Sequence, residues 1–173
     1  PTNTSDPDAL GHLSALLHET TDVGRSKATD KRRNKGYRTA RENLNDLIDE
    51  GSLVEYGQLA IAAQRDRRDA DTLRVDTAAD GVITGTATIN AAVVGEQQAH
   101  TAVAIYDYSV LAGTQGFFHH QKLDRILDIA ERERLSVVMY TEGGGGRPGD
   151  TDVKVNIAGL NVTTFMQWGH LTG

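Results

Sequence analysis

The sequence predicts an α/β fold, and three observations carry that prediction. Gly81 to Asn90 and Thr101 to Tyr106 alternate and are rich in β-branched residues, as strands are. Phe118, Leu123, Ile126, Leu127 and Ala130 then fall at helical spacing, and a further strand-like run follows from Leu135 to Tyr140. The order strand, strand, helix, strand, glycine loop, helix builds a sheet with helices laid on it rather than a bundle or a sandwich.

At the amino end, Ser5-Asp6-Pro7-Asp8 offers a cap, a first-turn proline and an acid, and Leu10, Leu13, Leu16 and Leu17 predict a short amphipathic helix. Arg25 to Arg41 is basic and shows no periodicity before Thr39. There, Thr39-Ala40-Arg41-Glu42 has capping-box spacing and opens a helix with Leu44, Leu47 and Ile48 on one face, closed at Asp49-Glu50-Gly51. Arg65 to Asp80 is charged and poor in large apolar residues, which predicts a solvated loop with no evident chemistry. Gly113-Thr114-Gln115-Gly116 interrupts before the central helix, which Glu131 to Arg134 ends with charge. A last helix runs from about Thr164 to Leu171, with Phe165 and Trp168 read as core contacts.

At 173 residues, 38% of them apolar, the chain is large enough for one ordinary core. A net charge of -6 argues against a nucleic-acid partner, which would select a basic face. The absence of cysteine excludes disulfides, thiolate metal sites and a thiol nucleophile. No apolar run approaches the roughly 20 residues of a membrane span, and the start lacks signal-peptide character, so the expectation is a cytoplasmic protein without a membrane partner. A first residue other than Met suggests a piece of something longer.

The chemistry concentrates in the run Thr141 to Asp150. A strand that leads into Gly143-Gly144-Gly145-Gly146 brings bare backbone amides to a sheet edge, where they can hold an oxyanion or a phosphate. In α/β sheets ligands gather beyond the carboxyl ends of strands, where this loop and the Gly113 turn both fall. The loop lacks the Gly-Lys-Ser/Thr ending of a phosphate-binding P-loop. His119 and His120 are adjacent on a helix and point about 100° apart, so they do not form a metal pair. His12, His18, His100 and His170 have no ligand spacing either.

Four blocks in order resemble the carboxyltransferase (beta) component of biotin-dependent acyl-CoA carboxylases. They are Gly36 to Leu44 with Leu47 to Glu55, Asp80 to Gly85, Tyr106 to Gly116 with Lys122, and Glu142 to Asp150. In the last block the family typically has an acid-Ser-Gly-Gly-Ala-Arg loop. Here Gly143 stands for the serine, Gly146 for the alanine and Pro148-Gly149 for a bulkier pair, a more permissive loop that fits a subgroup with an unusual acyl substrate.

The resemblance implies a crotonase-like spiral of strand-strand-helix units, incomplete in this chain. Residues 1–35 would be an amino-terminal helix and basic lead-in, and residues 36–173 the amino-terminal part of the domain. A Gly-Gly oxyanion element is expected just after Gly173, and a neighbouring protomer is expected to complete the site, so this fragment alone should not turn over. The implied reaction moves a carboxyl group from carboxybiotin to the α carbon of an acyl-CoA, within a homo-oligomer. Its partners would be biotin carboxylase and biotin carboxyl carrier components, as separate chains or fused in one polypeptide, with ATP used only at the biotin carboxylase component. Gly144, Gly145 and Gly146 are the expected substrate contacts, with Arg147 anchoring the loop or meeting an anion and Gly113 and Thr114 beside it. No side chain here is assigned as catalytic and no metal is expected.

The basic island suits CoA phosphates, although from composition alone a solvated face or interdomain surface is the preferred reading. Arg41 and Glu42 are read as structural. Tyr106, Asp107 and Tyr108 are placed to line a pocket, but Asp107 has no evident partner to tune it. Two other readings stand beside this one: a crotonase-type hydratase or isomerase acting on CoA thioesters, and a non-catalytic CoA- or nucleotide-binding or docking module.

Overall fold

The computed structural model describes residues 8–153 and 163–171. Four strands form one sheet in the order β1-β2-β3-β4: β1 Val54–Tyr56, β2 Val82–Thr88, β3 His100–Tyr106 and β4 Ser136–Tyr140. β1 and β3 run antiparallel to β2, whereas β4 is parallel to β3 and is reached through the helix Phe117–Glu133. A parallel neighbour needs such a crossover, since a tight turn can only reverse the chain.

Strand alternation sends each side of β2 and β3 into a different core. Ile83, Val103 and Ile105 pack with Ala40 and Leu44 of the helix Ala40–Leu47 on one face. Val82, Ala102, Ala104 and Tyr106 meet Leu123, Ile126, Ile129 and Ala130 of the crossover helix on the other. β3 is covered on both faces along nearly its whole length, which explains its continuous apolar sequence.

In chain order the helices are α1 Ala9–His18, α2 Ser26–Arg33, α3 Ala40–Leu47, α4 Ala70–Asp76, α5 Ala91–Val94, α6 Glu96–Ala99, α7 Phe117–Glu133 and α8 Thr163–His170. The capping box at the start of α3 forms in both directions, with Thr39 accepting from the Glu42 amide and Glu42 accepting from the Thr39 amide. That bond and the Arg33 guanidinium hold the Glu42 carboxyl below its ordinary range.

Several expectations need correction. The basic island is not irregular throughout, because its first half forms α2; lysine and arginine are good helix formers even without an apolar stripe. Arg65 to Asp80 is not a solvated loop. It contains α4, whose Leu73 is fully buried, and ends in a buried tight turn, Ala78–Gly81. One apolar residue per short helix leaves no period to read. β1, α5 and α6 are three or four residues long and gave no pattern. α1 begins at Ala9 with Leu10 and Leu13 exposed, and the expected cap at Ser5 to Pro7 lies outside the described residues. Trp168 on α8 is half-buried.

Candidate active site

The glycine loop follows β4 and lies against the turn that follows β3. Its amino-terminal foot is a backbone-to-backbone contact. A Cβ added to Gly113 would strike the carbonyl oxygen of Glu142, and one added to Gly143 would strike that of Gly113. Only glycine permits this approach, and Gly113 also has φ +66°. The next step is a two-stranded rung: the Gln115 amide donates to Gly145 O at 2.8 Å and the Arg147 amide donates to Gln115 O at 2.8 Å.

Between these fixings lies an open crest. Gly145 has φ +89° and nothing within 4 Å of where its Cβ would be, and Gly144 meets only ordinary contacts beyond 3.5 Å. Among the described residues the amides of Gly144, Gly145 and Gly146 donate to no acceptor, so three N–H groups stand available to an oxygen atom brought to the crest.

Arg147 does not point to solvent. It is 5% exposed, and every guanidinium nitrogen is engaged. Nε donates to Thr114 Oγ1 at 3.2 Å, one Nη to Thr114 O at 2.6 Å, and the other to the Asp80 carboxylate, with Asp150 3.5 Å away. Asp150 Oδ2 also accepts from the Phe117 amide at 2.9 Å, and Asp80 Oδ2 from the His119 amide at 2.8 Å. Two carboxylates from distant segments therefore satisfy amides in the first turn of α7 that lack partners within the helix, and the same two carboxylates hold Arg147. Burial outweighs the neighbouring arginine and raises the Asp80 carboxyl above its ordinary value.

The residues after Arg147 are strapped down by the segment before α4. Gln64 donates to Asp150 at 3.0 Å, Arg67 to the Gly149 carbonyl, and the amides of Arg65 and Asp66 to Asp152 at 2.7 and 2.9 Å.

Beside the crest runs a groove of about 1010 Å³ between α2, α4 and the turn after β3. Lys27, Lys31, Lys35, Arg32 and Arg68 line it, against Asp76 and Glu142 as its acids. Both acids are already paired, Asp76 to Arg68 and Glu142 to Arg32. Among the described residues no carboxylate pairs with Lys27, Lys31 or Lys35, so the groove carries uncompensated positive charge. Arg32 lies 5.5 and 5.6 Å from the ring centres of Tyr37 and Tyr108, and it reaches across to Glu142, the residue that leads into the glycines.

The expected site residues thus divide. Gly144, Gly145 and Gly146 form the crest. Gly113 and Thr114 are spent on the loop's own construction, and Arg147 is an anchor whose nitrogens are all taken. Tyr108 lines the groove, while Tyr106 is buried edge-on to His119 at 4.5 Å between ring centres, its hydroxyl raised by burial to about 12. Asp107 does have a partner: Arg25, buried under α2, donates to it at 2.6 Å, and Asp107 also caps the turn through the Ser109 amide at 2.9 Å. Arg41 makes a two-pronged pair with Glu55 at 3.0 and 3.2 Å.

His119 is fully buried and neutral, pushed down to about 3 by desolvation, and its Nε2 has no partner among the described residues. No cluster of three or more His, Asp or Glu among the described residues has the arrangement of a metal site. Sequence reasoning missed Asp80. It lay at the end of a window read as solvent-exposed, although it also opened one of the four resembling blocks.

A model of the carboxyl transferase domain matches residues 31–164. The chain belongs to the carboxyl transferase domain family. A solved single-chain, multi-domain long-chain acyl-CoA carboxylase is 51% identical over 98% of this chain, with a TM-score of 0.88. The propionyl-CoA carboxylase beta chain of Saccharopolyspora erythraea is 31% identical over 95% of it. The biotin-dependent long chain acyl-coenzyme A carboxylase beta4 subunit of Mycobacterium tuberculosis is 31% identical over 81%. This chain spans 16%, 28% and 24% of those three proteins respectively. The fold is the crotonase-like one of carboxyl transferase domains, represented here by part of its sheet.

Proposed function

We propose that this chain is part of the carboxyltransferase of a biotin-dependent acyl-CoA carboxylase and carries the surface that meets the acyl-CoA. The observation that carries the reading is the 51% identity, over nearly the whole chain, with a long-chain acyl-CoA carboxylase. The two alternatives, a hydratase or isomerase and a non-catalytic docking module, have no comparable support.

In this reading the free amides of Gly144 to Gly146 face an oxygen of the substrate, and the unpaired lysines of α2 meet the phosphates of its CoA. Backbone donors fixed before the reaction stabilise charge as it develops on an acyl oxygen and need no ionisable side chain. Carboxybiotin, on a carrier domain or protein, supplies the carboxyl group. The parent assembly is a cytoplasmic homo-oligomer working with a biotin carboxyl carrier and an ATP-using biotin carboxylase. A long acyl chain is the favoured substrate, in keeping with the two long-chain relatives and with a loop in which glycine replaces bulkier residues.

The test uses the full-length parent protein: decarboxylation of malonyl-CoA and methylmalonyl-CoA with and without biocytin, repeated after Gly145→Val. Biocytin-dependent turnover, lost in the variant and inhibited more strongly by palmitoyl-CoA than by propionyl-CoA, is expected. A folded protein that binds CoA esters but shows no biocytin dependence would overturn the reading.

A further inference from the structure

The turn Ala78–Gly81 enters β2 with three successive residues in left-handed backbone: Ala79 at φ +53°, Asp80 at +46° and Gly81 at +76°. For the two residues that bear a Cβ this conformation is unfavourable, and it persists only where the surroundings over-determine it. They do so here. Lys122, itself buried, reaches under the turn and donates to the carbonyls of Ala79 (2.8 Å) and Val82. The Asp80 amide is held by the carbonyls of Ala60 at 3.1 Å and Thr77 at 3.0 Å. The product of this arrangement is a carboxylate with no solvent exposure, aimed at Arg147 and at the first turn of α7.

A buried ion pair is a poor device for stability alone, since apolar residues of similar volume commonly do as well. A pair held on a strained turn and attached one residue beyond the open glycines has another use. We infer that Asp80 is a positioning residue: through Arg147 it fixes the direction in which the amides of Gly144 to Gly146 point. The inference rests on the carboxyltransferase reading. Asp80 touches no substrate. It acts on the exit of the loop, while the Gly113–Gly143 contact fixes the entry, so the crest is suspended between two rigid points.

The experiment measures biocytin-dependent malonyl-CoA decarboxylation by the full-length parent carrying Asp80→Asn, which keeps the shape and removes the charge. Thr114→Val is a milder variant that removes the Oγ1 partner of Arg147 and leaves Asp80 in place. Leu44→Ala, in the core on the other face of the sheet, serves as a control for lost stability. All are assayed below their unfolding temperatures.

Displacement of a reacting group by about 1 Å costs about a hundredfold in rate. Asp80→Asn is expected to lower kcat by that order with KM changed less than about twofold, and Thr114→Val to lower kcat by a smaller factor in the same pattern. Leu44→Ala should lower Tm while leaving kcat unchanged. If Asp80→Asn does not fold, Thr114→Val decides. Asp80→Asn or Thr114→Val losing Tm but keeping kcat, or raising KM alone, overturns the positioning role. Absence of biocytin-dependent turnover in the wild type overturns the carboxyltransferase reading instead.

Discussion

Gly113 and Gly145 belong to neighbouring loops and do opposite things. At Gly113 the missing side chain makes room for another backbone, and the Glu142 carbonyl occupies that room. At Gly145 the corresponding space is empty. The first kind of glycine builds the site and the second leaves it open. A run of glycines in a sequence shows neither which is which nor where the boundary falls, because the difference lies in what faces each Cα.

The largest expected effect tests that division on stability. Gly143→Ala forces a Cβ into the Gly113 carbonyl and should destabilise by about 3 kcal/mol, the cost of overpacking at a site that cannot relax. Gly145→Ala should cost only about 1 kcal/mol, the strain of a left-handed alanine. Thermal or denaturant unfolding of the two variants checks the order, and equal losses would erase the distinction.

The groove and the crest are separated by a second comparison. Replacing Lys27, Lys31 and Lys35 together by alanine should raise KM for the acyl-CoA about tenfold, as three exposed charge contacts are lost, and should flatten its salt dependence with kcat unchanged. A fall in kcat would place the groove in the chemistry rather than in binding.

A smaller effect sharpens the contrast between the exposed lysines on and just after α2 and the buried one on α7. Desolvation lowers Lys122 from 10.5 to about 8 in the folded chain. Below about pH 8 both folded and unfolded chains hold the proton, and the cost of burying the charge is present in full. Between that pH and 10.5 the folded chain releases the proton while the unfolded chain keeps it, so stability rises with pH, by about 1 kcal/mol for the first unit. The midpoint of unfolding, followed between about pH 7 and pH 9, should show this rise in the wild type and not in Lys122→Met.

Much of the fold was legible because its elements are long. The period-two pattern of β2 and β3 and the four-turn apolar stripe of α7 are local and repeated, so they survive without tertiary context. The capping box at Thr39 was legible for the same reason. What escaped was short or held by distant partners: β1 exists because Val54 to Tyr56 pairs with β2, and α4 is fastened by a single buried leucine. The crest was legible as glycine. Its supports were not, since Asp80 lies 67 residues from Arg147, and a charged residue at the end of a charged window gives no sign of complete burial. Lys27, Lys31 and Lys35 do recur every four residues, a helical signal within the basic island that an apolar criterion passes over.

The most direct test of the central claim is hydrogen–deuterium exchange of the full-length parent, resolved to single amides by fragmentation, with and without a saturating acyl-CoA. The amides of Gly144, Gly145 and Gly146 should exchange rapidly in the free protein and become protected on binding, whereas those of Gly113, Gln115 and Arg147 should be protected in both states. An unchanged crest under saturating ligand, or protection arising only at Gly113 and Arg147, would contradict the account.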